Sequence, residues 1–145
     1  MEELVLHGEL VSSNGNIYQL QVFAQEDDTA RHIAALLALK PDAVDITQAL
    51  EHIRSDLGIN LSQRQCEAVY MAFRSNLSII TGSPGTGKTT VLRAIIQVFR
   101  FLYPEAKILL AAPTGRASRR MAESTGFMTA KTLHSLLGLL GEDGF

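Results

Sequence analysis

Residues 81–90 read TGSPGTGKTT, and within them 82–89 fit the pattern G-x-x-x-x-G-K-[ST] at every fixed position. The flanks agree with that match. LSIITG (77–82) is a short apolar, β-rich run of the kind that forms a buried parallel strand, and KTTVLRAIIQVFRFLY (88–103) is a helix stopped by Pro104. Strand, glycine loop and helix in that order make a phosphate cradle. The spacing has a physical reason. Gly82, Gly85 and Gly87 let the backbone wrap closely and turn its N–H groups onto phosphate oxygens. The helix starting at Lys88 aims its positive end at the same anion. Lys88 would reach the β- and γ-phosphates, and Thr89 would place its hydroxyl on Mg²⁺. The candidate nucleotide-binding set in the loop is Gly82, Pro84, Gly85, Thr86, Gly87, Lys88, Thr89 and Thr90, with Lys88 and Thr89 as the catalytic pair.

Outward from the loop the chain alternates. LSQRQCEAVYMAFRS (61–75) is an amphipathic helix with Ser62 as its N-cap, and KILLAA (107–112) is a second buried strand. GRASRRMAEST (115–125) and AKTLHSLLGLL (130–140) are helices. Strands alternating with helices predict an α/β fold, a parallel sheet with flanking helices. Two strands do not complete such a sheet, so more are expected beyond Phe145.

The front of the chain is different. LVLHGELVSSNGNIYQLQVF (4–23) reads as two strands around a Ser-Ser-Asn-Gly turn, since Asn and Gly both tolerate positive φ. TARHIAALLALK (29–40) follows as a helix with Thr29 as N-cap, its IAALLAL run (33–39) buried, and Pro41 behind it. ITQALEHIRSDLG (46–58) is a further helix ending at Gly58. This divides the chain into a small α+β hairpin-and-helix region, 1–58, and an α/β region, 59–145.

Charge follows the same division. Residues 1–60 carry ten acidic and three basic side chains, whereas residues 61–145 carry ten basic and five acidic ones. A basic segment built around a phosphate loop suits phosphate-bearing ligands. The single cysteine, Cys66, excludes an intramolecular disulfide and a cysteine zinc cluster, and fits a reducing, cytoplasmic compartment. No run approaches the length of a membrane span, and the N-terminus has no signal-peptide pattern.

A cradle alone fits kinases, GTPases, transport ATPases and helicases. Four stretches narrow the choice, and over residues 61–145 they resemble the first motor domain of superfamily 1 helicases, in the RecD-like branch of the exodeoxyribonuclease V alpha subunit. LSQRQ (61–65) resembles the family's adenine-reading segment, with Gln65 at the glutamine; its amide can donate to and accept from a base edge. TGSPGTGKTT is the family's motif I. AAPTGRASRRM (111–121) resembles its motif Ia, which touches single-stranded DNA. Thr114 and the Gly115 backbone could bond phosphate there. Arg116, Arg119 and Arg120 share one helix face by their spacing. TAKTLHSLLG (129–138) resembles the next element, with Thr132 and His134 at its threonine and histidine.

The resemblance implies a partial RecA-like P-loop NTPase domain carrying a Q-like motif, Walker A, motif Ia and motif Ib. It also implies ATP with Mg²⁺, single-stranded DNA, 5′-to-3′ movement, and other helicase–nuclease subunits as partners. It implies a later strand ending in Asp-Glu and a second motor domain with an arginine finger. KILLAA runs instead into Pro-Thr-Gly, and Glu142-Asp143 sits in the loop GLLGEDGF. The chain therefore reads as part of a longer protein, inactive by itself. Two rivals are a P-loop kinase, which leaves LSQRQ and APTGRASRRM unexplained, and a module that binds nucleotide or DNA without turnover.

Overall fold

The computed structural model describes residues 10–41 and 44–138. The start of the expected hairpin, the last two residues of the helix expected to 140, and Glu142-Asp143 lie outside the described residues. The chain divides into two compact units, 1–41 with 75–77, and 42–74 with 78–145. These compact units meet at 41/42, whereas the sequence division was drawn at 58/59 on charge and motif content.

In the first unit, β1 (Leu10–Ser13) and β2 (Asn16–Gln19) pair antiparallel, with Ser13 opposite Asn16. The turn between them uses Asn14 at φ 51° and Gly15 at φ 80°, as a two-residue hairpin turn requires. Helix α1 (Leu20–Ala38) begins directly after β2. The run LQVF, read as strand from its β-rich composition, is helical; a short apolar run does not by itself separate the two periods. Tyr18 and Phe23 meet edge to face at 5.7 Å across that junction. Thr29 is not the N-cap. It lies inside the helix, where its hydroxyl donates to the Gln25 carbonyl at 2.7 Å. Asn76 closes the other end, its side-chain amide donating to the carbonyls of Leu36 and Leu39 at 3.1 and 2.7 Å. No α1 residue is buried, against the expectation for 33–39; Ile33, Leu36 and Leu37 are all exposed. A helix apolar on every side hides its surface only where other elements wrap it.

The second unit holds α2 (Thr47–Ser55), α3 (Gln63–Arg74), α4 (Lys88–Leu102), β3 (Ala111–Ala112), α5 (Gly115–Thr125), β4 (Lys131–Thr132) and the single-turn α6 (Leu133–Leu136). Its core forms around α4. Val91, Ala94 and Val98 pack with Ile46, Ala49 and Ile53 from α2 and its approach, Ile59 after it, and Val69 of α3. This shared core places α2 in the same unit as the loop. Another α4 stripe, Leu92 and Ile96, packs with Ile108, Leu110, Met121 and Phe127. Arg100 lies over the Phe127 ring at 4.8 Å.

The sheet is shorter than expected. Only Ala111–Ala112 of the run 107–112 pairs, in parallel with Lys131–Thr132, and residues 77–82 form no strand. Strand pairing in an α/β sheet depends on which strands lie beside each other, and an apolar run carries no record of its neighbour. Ile79 and Leu109 are accordingly 76% and 57% exposed. The segment 130–140, expected to be helical, supplies β4 and then only the short α6 among the described residues.

Candidate nucleotide site and basic face

Ser62 caps α3 as the sequence predicts, and does so in a reciprocal box. The Ser62 N–H donates to Gln65 Oε1 at 2.9 Å, while the Gln65 N–H reaches Ser62 Oγ at 3.4 Å. This fixes Gln65 at the first turn of α3, and its Nε2 then donates to the Thr86 carbonyl at 3.2 Å. The amide orientation is chemically determined, because flipping it would set NH₂ against the Ser62 N–H.

The loop itself is tightly wound. Gly85 and Gly87 sit at φ 80° and 83°, in the left-handed region. A side chain at Gly82 would lie 2.7 Å from Thr86 Oγ1, and one at Gly87 would strike Gln65 Nε2. The Lys88 ammonium donates to the carbonyls of Gly82 and Ser83 at 2.7 and 2.8 Å, and the Thr86 hydroxyl donates to Ser83 at 2.8 Å. The first α4 bond from this loop runs from the Val91 N–H to the Gly87 carbonyl at 3.0 Å. The N–H groups of Lys88, Thr89 and Thr90 therefore have no partner inside the helix. Left-handed glycines, free N–H groups and one lysine form a donor set that suits a polyphosphate.

Gln65, Gly82, Thr86 and Lys88 line one cavity of about 470 Å³. Pro84, Gly85, Gly87, Thr89 and Thr90 continue the same loop and helix start but are not among its lining. Ser62, Arg64, Ile80 and Thr81 line it too; of these, Arg64 is a second cation that the sequence reading passed over. No local pattern marks Arg64; it lines the cavity from the same first turn of α3 as Gln65. No carboxylate lines the cavity among the described residues, and no cluster of three or more His, Cys, Asp or Glu forms among them.

The second group of candidates comes together at the ends of β3 and β4. The register pairs Ala111 with Lys131 and Ala112 with Thr132, so both strands end at one edge. Thr114 caps α5, accepting from the Ala117 N–H at 3.2 Å, and Thr132 caps α6, accepting from the Ser135 N–H at 3.1 Å. A hydroxyl that accepts in a cap keeps its own O–H to donate. Gly115 begins α5, and Arg116 and His134 stand exposed near this edge. Arg119 and Arg120 lie a turn further along α5, exposed, while Ser118, Ala122 and Thr125 face the core. None of these residues lines the Gln65–Lys88 cavity.

A family described as an AAA domain matches residues 65–144. The chain is similar to the ATP-dependent RecD2 DNA helicase of Deinococcus radiodurans, with 36% identity over 135 residues, 92% of this chain and 18% of that protein. It is similar to the RecBCD enzyme subunit RecD of Haemophilus influenzae, with 42% identity over 93 residues, 50% of this chain and 14% of that one. The DNA polymerase alpha-associated DNA helicase A of Saccharomyces cerevisiae is 40% identical over 68 residues, 47% of this chain and 10% of its own. The chain thus spans less than a fifth of the length of these relatives.

Proposed function

From the premise that this chain belongs to the AAA domain family, among the RecD-like superfamily 1 helicases, we propose that it is the ATP-gripping part of a DNA helicase. The observation that carries this reading is the single cavity joining Gln65, Gly82, Thr86 and Lys88 at the N-terminus of α4. In it Lys88 would exchange its bonds to the loop carbonyls for the β- and γ-phosphate oxygens. The N–H groups at the α4 start would bind the same anion. Thr89 would hold Mg²⁺, which when bound offsets phosphate charge.

Single-stranded DNA is the polymer substrate in this reading. Its phosphates would meet the O–H groups of Thr114 and Thr132, the Gly115 backbone, and the side chains of Arg116, Arg119, Arg120 and His134. Residues 59–145 would form the first part of the first motor domain; of residues 1–58, which carry no catalytic motif, α2 packs under the loop helix and the rest would be a structural or partner-contact region. Among the described residues no carboxylate that could activate water lines the cavity, and residues 1–145 alone would turn over little ATP. Movement is 5′ to 3′, in a cytoplasmic protein that works beside other helicase–nuclease subunits or alone.

Partial duplexes with a 5′ or a 3′ single-stranded tail test this proposal on the protein at its full natural length. ATP-dependent strand separation from 5′ tails, lost in Lys88→Ala, is the expected result. Separation only from 3′ tails would refute the polarity, and separation unaffected by Lys88→Ala would refute the role of the loop.

A further inference from the structure

Two cations line the nucleotide cavity, Lys88 from the loop and Arg64 from the first turn of α3. Lys88 is bonded to the carbonyls of Gly82 and Ser83 and belongs to the phosphate end. Arg64 has no such commitment. Among the described residues it joins no ion pair, and no carboxylate lines the cavity. Glu67, the acid three residues further along α3, accepts instead from the Gln63 amide at 3.2 Å. The Arg64 guanidinium is therefore available to a ligand.

What it would meet follows from where the phosphates go. The glycine loop and the N–H groups at the start of α4 take the polyphosphate, which leaves the α3 wall of the cavity for the base. A base has an edge that hydrogen-bonds and two faces that stack. Residues adjacent on an α-helix project about 100° apart. With Gln65 at the edge, Arg64 approaches from a different side. No aromatic side chain lines the cavity among the described residues, so Arg64 carries the flat cationic surface on which a base face can rest. Ala68, one turn beyond Arg64 on the same helix, adds only a methyl to this wall and leaves room for the ring.

We infer that Arg64 is a base-binding residue whose guanidinium stacks on the face of the nucleobase, adding affinity for any nucleoside triphosphate without choosing among the bases. The inference rests on the nucleotide site proposed above and deepens it, by separating a stacking wall on α3 from the phosphate grip of the loop. A guanidinium on the phosphates would instead hold a bare phosphate chain as well as a nucleotide.

Binding titrations of the protein at its full natural length with MgATP, MgGTP and magnesium tripolyphosphate separate these roles. Arg64 is exposed, so an alanine there leaves the α3 packing in place. Arg64→Ala is expected to weaken MgATP and MgGTP by about three- to tenfold each, the worth of one stacking contact, and to leave tripolyphosphate affinity unchanged. Weaker tripolyphosphate binding would make Arg64 a phosphate ligand and overturn the inference. A loss for ATP alone, the mark of an edge reader, or no change for any ligand would overturn it equally. Arg64→Lys keeps the charge and removes the flat surface. It is expected to bind both nucleotides more weakly than wild type, and full affinity there would also overturn the inference. Lys88→Ala distinguishes failure of the site from failure of the inference, since it is expected to weaken all three ligands. Tripolyphosphate binding untouched by Lys88→Ala, or a wild-type protein that binds none of the three, would refute the nucleotide site itself.

Discussion

At Gly87 two demands meet on one residue. The backbone is left-handed, and the space beside its Cα is taken by Gln65 Nε2. An alanine there costs about 1–2 kcal/mol for the conformation alone and also displaces Gln65. Gly87→Ala should therefore weaken triphosphate binding and lower the melting temperature, both measurable by a thermal-shift titration; unchanged values would count against the loop geometry. Asp45 offers a separate test. The Thr47 hydroxyl donates to its carboxylate at 2.6 Å and the Thr47 N–H at 3.0 Å, and these bonds hold its pKa below the ordinary 3.8. A carboxyl depressed on folding stabilises fully above its unfolded value and loses that contribution as pH falls through its folded one. Melting curves should show wild type losing more stability than Asp45→Asn between about pH 5 and pH 2, the window around that unfolded value. Parallel losses in the two proteins would contradict this. The glycines, Lys88 and Ser62 were legible in the sequence because each answers to a local rule. Gln65 stands out in the sequence through the LSQRQ stretch, but its partner Thr86 lies 21 residues away and no local pattern names it.

The helices were read best where caps mark their ends. α5 occupies residues 115–125 as expected, between the capping hydroxyl of Thr114 and Gly126 at φ 70°. α3 starts one residue after its serine cap. Where a cap was inferred from composition alone, at Thr29, the boundary was wrong by nine residues, since α1 starts at Leu20. Strands fared worse because their existence depends on partners: 77–82 and 107–112 have strand composition, yet only 111–112 pairs. The face of α5 makes its own prediction. Arg119 and Arg120 are exposed, and no acid pairs with either among the described residues. Replacing both with alanine should weaken single-stranded DNA binding and reduce the slope of log affinity against log salt by roughly 0.7 per lost phosphate contact. An unchanged slope would leave them as a solvated face. Nucleotide affinity without DNA should not move, because neither residue lines the loop cavity.

Over the whole chain, the fold class was legible, whereas which elements share a core was not. A linker signal at Lys40-Pro41 was present, yet charge and motif content favoured a later boundary. The α2 side chains decide the matter by packing: Ile46, Ala49 and Ile53 are buried in the same cluster as Val91 and Val98 beneath the loop helix. Ile53→Ala should cost roughly 2–5 kcal/mol in a denaturant titration and destabilise the loop unit as a whole. A loss confined to the hairpin unit would contradict the shared core. Among the described residues no helix is long and apolar enough to cross a membrane. A loop at 82–89 that drives a machine working on DNA, as proposed, couples ATP hydrolysis to DNA. Steady-state ATP hydrolysis by the full-length protein, with and without single-stranded DNA, tests it most directly. Hydrolysis that rises many-fold with DNA and disappears in Lys88→Ala is the expected result. Hydrolysis of equal rate with and without DNA would contradict it.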